Sequence, residues 1–174
     1  TVENMSKYVS PQTPFGFVTS FKGHKEKLAN DIPIYVSGAI NYVNRSEVIK
    51  GCDLIDVYKV FIPKAGSGSD SFPHSILGMP LLGKKKTICN QTYLVIGPFP
   101  NETHCTNLIS YIKTRFFRFM VMLKKNTQDA MRGVYEFVPV QDYSKPWTDE
   151  ELYAKYGLSE DEIAFIESMI RPME

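Results

Sequence analysis

Side chains that could contact nucleic acid are concentrated in residues 84–132. This segment contains nine lysines and arginines against two acidic residues, a net charge of +7. Lysine binds phosphate oxygens without sequence preference, whereas arginine, asparagine and glutamine can pair with base edges. The expected base-reading residues are Arg115, Arg118, Asn126 and Gln128. The expected phosphate contacts are Lys59, Lys64, Lys84, Lys85, Lys86, Lys124, Lys125 and Arg132.

The residue patterns of common catalytic sites do not occur in this sequence. Asp/Glu-x-Lys, typical of metal-dependent nucleases, is missing, as is the Asn/Asp-Pro-Pro-aromatic loop of amino-methyltransferases. His24, His74 and His104 are far apart and have no second ligand at a metal-site spacing. No Gly-x-Ser-x-Gly elbow is present, although the partners of a catalytic triad need be neighbours only in space. We therefore expect a binding protein with no catalytic residue, no metal site and no cofactor of its own.

A strand followed by one long amphipathic helix is expected to hold the basic segment. Residues 93–96 form a β-branched, aromatic and aliphatic run that ends at Gly97-Pro98, and Asn101 can cap the helix that follows. Apolar residues then recur at steps of three and four, which predicts a buried face of Leu108, Ile112, Phe116, Phe119 and Leu123. A second stripe lies beside that face and comprises Tyr111, Arg115, Arg118, Met122 and Lys125. In one continuous helix, this stripe would form a cationic surface next to the core.

Two capped helices are predicted at the C-terminal end. Thr148 and Ser159 each precede a glutamate by three residues, which is the capping-box spacing, and Gly157 and Pro172 end the helices. Residues 141–174 contain nine acidic and three basic residues, a net charge of −6. A DNA-reading helix-turn-helix is the competing interpretation, but three acidic residues open its second helix and phosphates would repel them. We therefore predict an αα-hairpin that packs on the body or on another domain.

The remaining elements are short strands. Residues 32–36, 39–43 and 57–62 are predicted strands, and weak alternation predicts an edge strand at 134–140. Together these elements predict an α+β fold: a mixed, largely antiparallel sheet packed by one long amphipathic helix, with a C-terminal αα-hairpin. Residues 1–140 would form the α+β unit, and residues 141–174 would form the acidic helical hairpin packed on it.

A glycine- and serine-rich loop follows the strand at 57–62. Residues 64–69 combine Lys64 with Gly66 and Gly68, but they match neither the nucleotide P-loop nor the Rossmann fingerprint, and no helix pattern follows. Two interpretations stay open: a loop whose backbone N–H groups and Lys64 contact a phosphate, or a plain flexible loop.

Cysteine usage and targeting patterns favour a cytoplasmic protein. Three cysteines form no Cys-x-x-Cys pair and cannot all be bridged, so idle thiols in a reducing compartment are expected. Four Asn-x-Ser/Thr tripeptides would carry glycans only in a secreted protein, and the chain shows neither a signal peptide nor an apolar run that could span a membrane. The chain begins at Thr1 without an initiator methionine, so we expect a fragment of a longer protein.

Several segments resemble the C-terminal part of bacterial type II restriction-modification adenine-N6 DNA methyltransferases. They are residues 59–64 with the following Gly/Ser loop, 92–99, 107–111, 115–119, 124–130, 135–139, 145–149 and 156–158. The resemblance spans residues 57–174 well and the first fifty residues only in outline. It implies that residues 1–140 are a DNA target recognition domain, an α+β module that reads duplex DNA beside an N-terminal methyltransferase domain of the same parent chain.

The cofactor and catalytic motifs of that family are absent here, so the resemblance implies the recognition part alone. The parent enzyme would use S-adenosylmethionine, and also Mg²⁺ where an endonuclease is fused to it or partnered with it. The alternative is a protein-docking module whose acidic hairpin binds a partner and which does not contact DNA. Under the DNA-binding hypothesis, replacing Arg118 with alanine should weaken a specific site more than random DNA, whereas replacing Lys125 should weaken both alike.

Overall fold

The computed structural model describes residues 3–65, 72–125 and 129–173, and within them it contains six strands and four α-helices. The strands are β1 (Asp31–Val36), β2 (Ala39–Asn44), β3 (Tyr58–Pro63), β4 (Leu81–Gly83), β5 (Ile88–Cys89) and β6 (Tyr93–Phe99). The helices are α1 (Glu102–Ile112), α2 (Arg115–Met122), α3 (Asp149–Lys155) and α4 (Glu160–Met169). The predicted α+β class is confirmed.

The strands form two three-stranded sheets instead of the one predicted sheet. One has the order β4-β3-β6 and is antiparallel; the other has the order β2-β1-β5, in which β1 pairs antiparallel with β2 and parallel with β5. In β3, Val60 and Ile62 join the core with the helices, while Phe61 joins the core with the second sheet. Because both faces of β3 are covered, its sequence is a continuous buried run without polar alternation.

The predicted long helix is interrupted, and this is a correction to the sequence analysis. Asn101 caps α1 as expected, since its side chain accepts from the His104 backbone N–H at 2.9 Å. Thr114 then starts a new helix, because its Oγ1 accepts from the Phe117 N–H at 3.1 Å. The break changes which residues point inward, so α2 buries Phe116, Phe117, Arg118 and Val121, while Leu123 is 54% exposed.

The C-terminal αα-hairpin is confirmed in both helices. Ser159 and Glu162 form a complete capping box at the start of α4, and Thr148 caps α3. Leu152, Tyr153, Ile166 and Ile170 of the hairpin belong to the same core cluster as the strands and helices of residues 1–140.

The predicted edge strand at 134–140 is wrong. A 3₁₀ helix occupies Arg132–Tyr135, and the segment contributes only a single bridge between Pro139 and Asn4. Tyr135 and Val138 are buried while Glu136 and Phe137 are exposed, a spacing that suits a 3₁₀ turn better than strict alternation. The glycine-rich part of the predicted phosphate loop, residues 66–69, lies outside the described residues.

Candidate nucleic-acid interface

A turn of three consecutive lysines connects β4 to β5. Lys84, Lys85 and Lys86 are all exposed, as a phosphate-binding segment requires. The turn is anchored at both ends: the Thr87 hydroxyl donates to the Lys84 carbonyl at 2.6 Å, and the Lys86 N–H donates to the Ile55 carbonyl at 2.8 Å. The Lys85 ammonium lies 5.5 Å from the centroid of the Tyr58 ring, a cation–π distance. We call residues 84–86 the basic turn.

A cleft next to the basic turn adds two further cations. Its volume is about 710 Å³, and its lining comprises Lys27, Asn30, Asp31, Ile32, Asn44, Arg45, Ser46 and Lys86. The Arg45 N–H donates to the Asn30 carbonyl at 3.1 Å, which ties the loop before β1 to the turn after β2. We call the surface formed by Lys27, Arg45 and the basic turn the basic cleft.

The carboxylates beside the basic cleft are already engaged within the protein. Asp31 is buried and accepts from His24 at 2.6 Å and from the Leu28 N–H at 2.7 Å, and the bond from His24 is the main cause of its lowered pKa. Asp56 pairs with Arg45, whose guanidinium lowers the pKa of Asp56. Among the described residues, no carboxylate forms an ion pair with Lys27, Lys84 or Lys86. The basic cleft therefore keeps an excess of positive charge.

Lys59 is not a phosphate ligand, which corrects the prediction. Its side chain is fully buried, and its ammonium donates to the carbonyls of Ile55 at 2.9 Å, Val57 at 3.2 Å and Lys84 at 3.2 Å. Burial lowers the pKa of Lys59 to about 8. The residue supports the basic turn from beneath and is closed to solvent.

Arg118 is not a base-reading residue, which is the larger correction. Its side chain is fully buried, and its guanidinium donates to four backbone carbonyls: those of Thr114 at 3.2 Å, Ser75 at 3.3 Å, Arg171 at 2.7 Å and Lys113 at 3.0 Å. Burial lowers the pKa of Arg118 to about 10, so the group is still charged at neutral pH. This side chain joins three segments: the one before β4, the one before α2 and the one after α4.

Two more members of the predicted cationic stripe also point toward backbone carbonyls. Arg115 is half-buried and its Nε donates to the Ile170 carbonyl at 2.9 Å. Lys125 donates to the Ile76 carbonyl at 3.2 Å. Asp149 accepts from the backbone N–H groups of Arg115 and Phe116 at 3.1 and 2.9 Å, which places an acidic group at the start of α2. Arg115, Arg118 and Lys125 of the stripe therefore contact backbone carbonyls where α2 meets its neighbours.

The other predicted phosphate contacts lie in separate surroundings. Lys124 is exposed and pairs with Glu136 at 3.2 Å, with its ammonium 5.3 Å from the Phe137 ring centroid. Arg132 is exposed and donates to the Ser6 carbonyl at 3.0 Å. Lys64 is half-buried beside a pocket of about 440 Å³ that Tyr93 and Asp129 also line, and no described contact joins these three cations to the basic turn. Asn126 and Gln128 lie outside the described residues.

Lys27 and Arg45 contribute to the basic cleft, although neither is among the predicted site residues. Lys27 lies in residues 1–30, where polar residues mixed with proline and glycine predict a loop-rich lead-in, and Arg45 follows the strand predicted at 39–43. The sequence did contain a signal for this basic surface, because Lys22, Lys25 and Lys27 precede β1 and Arg45 follows β2. Since the two strands form an antiparallel hairpin, the residues flanking its open end must be neighbours.

No group of His, Cys, Asp or Glu in residues 3–65, 72–125 and 129–173 is arranged to hold a metal ion. Across the same ranges, none of the helices has both the length and the apolar composition needed to cross a membrane. Comparison of the chain with protein-family models, curated proteins and solved structures finds no match in any of the three.

Proposed function

We propose that this chain binds double-stranded DNA through the basic cleft, as the target recognition part of a restriction-modification adenine-N6 DNA methyltransferase. The single observation that supports binding is the basic cleft itself: Lys27, Arg45 and Lys86 line the cavity, and Lys84 and Lys85 precede Lys86 in the exposed turn. Of these residues, Lys27, Lys84 and Lys86 form no ion pair with any described carboxylate. The assignment to the methyltransferase family depends on the resemblance of residues 57–174.

The basic turn suits contact with a phosphate backbone. Three consecutive lysines whose backbone is fixed at Lys84 and Lys86 meet adjacent phosphates with less loss of chain entropy than a free loop would. Lysine contacts of this type give affinity that falls with salt and does not depend on sequence. Arg45 and Asn30 at the cleft are of the residue types that pair with guanine and adenine edges, and we assign base reading to this part of the surface.

Methyl transfer itself would belong to the partner domain. The parent enzyme would use S-adenosylmethionine in its N-terminal domain, and this chain would supply the affinity and orientation that bring the target adenine to it. Any Mg²⁺ would serve an endonuclease that accompanies the parent.

Fluorescence anisotropy with a short, fluorescein-labelled duplex of random sequence tests the proposal. If the four lysines Lys27, Lys84, Lys85 and Lys86 neutralise phosphates, log Kd should change with log salt with a slope of about 3 to 4 between roughly 50 and 200 mM salt. The variant Lys84→Gln/Lys85→Gln/Lys86→Gln should reduce this slope to about 1 and weaken binding. The charge-matched control Lys7→Gln/Lys145→Gln/Lys155→Gln removes the same charge at positions that do not line the basic cleft, and it should leave the slope close to that of the unchanged protein.

Two results would contradict the proposal. One is an absence of duplex binding by the unchanged chain at high protein concentration and low salt. The other is an equal loss of slope in both triple variants, because net charge alone would then explain the affinity.

The protein-docking alternative is favoured by a different surface. Phe116, Met120, Phe137, Tyr156 and Leu158 line an apolar groove of about 370 Å³, and Phe137 and Tyr156 are 50% and 38% exposed. Apolar groups exposed together in this way are typical of protein-binding sites. Replacing Phe137 and Tyr156 with serine should leave duplex binding unchanged if DNA binding is the function of the chain.

A further inference from the structure

Lys59 is a buried ammonium group whose hydrogen-bond partners are all backbone carbonyls. No carboxylate within the described residues accepts a hydrogen bond from it, although burying a charge is costly unless it is well satisfied. A methionine of similar length would fill the same space without that cost. The presence of lysine at this position therefore calls for a role beyond packing.

Two of the three acceptors, the carbonyls of Ile55 and Lys84, lie at the two anchors of the basic turn. Lys84 begins the turn, and its carbonyl accepts from both Lys59 and the Thr87 hydroxyl. The Ile55 carbonyl accepts from both Lys59 and the Lys86 N–H, which ends the turn. One ammonium group thus bridges the beginning and the end of the segment that carries the exposed lysines.

The Lys59 side chain packs closely against glycines on both neighbouring strands. A Cβ atom at Gly83 would lie 2.7 Å from Lys59 Cγ, and one at Gly97 would lie 3.3 Å from Lys59 Cβ. Real Cβ atoms essentially never approach another heavy atom to 2.7 Å. Gly83 on β4 and Gly97 on β6 therefore form the channel through which the side chain reaches the turn.

We propose that Lys59 is a positioning residue for the interface, whose buried ammonium holds the basic turn in the conformation that presents Lys84, Lys85 and Lys86 to DNA. This inference depends on the proposed DNA-binding function. A protonated amine donates three hydrogen bonds to the three carbonyls, whereas a neutral amine has only two N–H groups and leaves one carbonyl without its donor. The turn should therefore loosen when Lys59 loses its proton.

Few titratable groups face Lys59. Asp56 favours its charged form from the turn preceding β3, and the thiols of Cys89 on β5 and Cys105 on α1 are its buried neighbours. Burial raises the pKa of both thiols, that of Cys105 to about 12, so both are neutral where Lys59 titrates. The ring centroid of Phe61 lies 5.8 Å from the ammonium. Because the pKa of Lys59 is lowered to about 8, loss of its proton falls in an accessible pH range.

Amide hydrogen exchange with Lys59→Met tests the inference. The protection factor of the Lys86 amide should fall about tenfold, since its anchor is lost. The His24 amide donates to the Tyr42 carbonyl at 2.9 Å and not to the basic turn, so it is the internal reference and should change little. Duplex affinity measured by anisotropy should fall about fivefold, while Lys59→Arg should restore part of it because it keeps a donor charge.

The outcomes separate this inference from the proposed function. Unchanged protection of Lys86 overturns the inference, and so does lost protection with unchanged duplex affinity. If the unchanged protein binds no duplex, the DNA-binding function is refuted. A selective loss of protection of the Lys86 amide in Lys59→Met would still show that Lys59 stabilises the conformation of the turn. If Lys59→Met does not fold, the unchanged protein is compared at about pH 7 and 9: falling protection of Lys86 relative to His24 supports the inference, and a constant ratio overturns it.

Discussion

Replacing Arg118 with methionine should destabilise the fold and leave DNA binding of the folded protein unchanged. The side chain is fully buried and donates to four backbone carbonyls that belong to three separate segments. Methionine keeps most of the side-chain volume and removes every donor. The substitution therefore isolates the hydrogen bonds from the packing.

The cost follows from what each carbonyl loses. The Thr114 carbonyl also accepts from the Arg118 N–H, and the Ser75 carbonyl also accepts from the Leu77 N–H at 2.8 Å, so neither is left without a donor. The carbonyls of Lys113 and Arg171 lose the guanidinium, at about 1–3 kcal/mol each when a buried acceptor is left unsatisfied. Removal of a buried charge offsets part of this cost. We expect a net loss of about 2–4 kcal/mol, a large share of the roughly 5–15 kcal/mol that stabilises a typical domain.

Urea unfolding monitored by circular dichroism measures this loss, and Arg115→Met is the matched control. Arg115 is half-buried, and its guanidinium makes one such bond, from Nε to the Ile170 carbonyl, so its replacement should cost about 1 kcal/mol. Anisotropy with specific and random duplexes completes the test. A stable Arg118→Met protein that loses preference for a specific sequence would refute the structural role and return Arg118 to the base-reading residues.

Four other changes have definite expected outcomes. Asp149→Ala should lower the unfolding free energy by about 1–2 kcal/mol, because the carboxylate caps two N–H groups at the start of α2. The control Glu150→Ala, on the exposed side of α3, should change the unfolding free energy little, and equal losses in the two variants would exclude the cap. Lys124→Gln should change stability by less than about 1 kcal/mol, since its pair with Glu136 is exposed on both sides, and a larger change in the urea midpoint would contradict this. An aromatic disulfide reagent should label Cys52 quickly in the native protein and leave Cys89 and Cys105 unreacted until unfolding, which the absorbance of the released thiolate follows. The global unfolding free energy of the unchanged protein relative to Lys59→Met should rise by up to about 3 kcal/mol between about pH 8 and 10.5, because the unfolded chain binds more protons in that window than the folded chain does. The loosening of the basic turn expected over the same range is a local change in which Lys59 stays buried, and it does not alter the sign of this global effect. A flat difference would refute the lowered pKa.

Local sequence patterns predict most of the secondary structure. The strands at 32–36, 39–43, 57–62 and 93–96 and both helices of the hairpin are confirmed, because β-branched runs bounded by turns and paired capping residues are local signals. The long helix is wrong for an identifiable reason. The apolar periodicity continues past Thr114 without interruption, yet the Thr114 side chain can cap a new helix, and the sequence contains no glycine or proline there to mark the break.

That one break changes the prediction of the functional site. In an unbroken helix Phe119 and Leu123 would be buried and Arg118 would lie on the neighbouring stripe. With the new start at Thr114, Arg118 turns into the core and Leu123 becomes 54% exposed. Periodicity cannot detect this change, because a helix of eight residues spans little more than two turns and offers several apolar faces of similar quality.

Net charge counted along a segment overestimates the charge available to a ligand. The long flexible stems of arginine and lysine let a cation counted at the surface reach backbone carbonyls inside the fold, as Arg115, Arg118 and Lys125 do. Lys59 does the same beneath the basic turn. The positive charge available to a ligand is concentrated where the nearby backbone carbonyls already accept hydrogen bonds from other groups. This is the case at the anchored turn of residues 84–86. For this reason the surface proposed to bind DNA lies at the open end of the β1–β2 hairpin, and the most basic helix of the chain serves to join the core to the C-terminal hairpin.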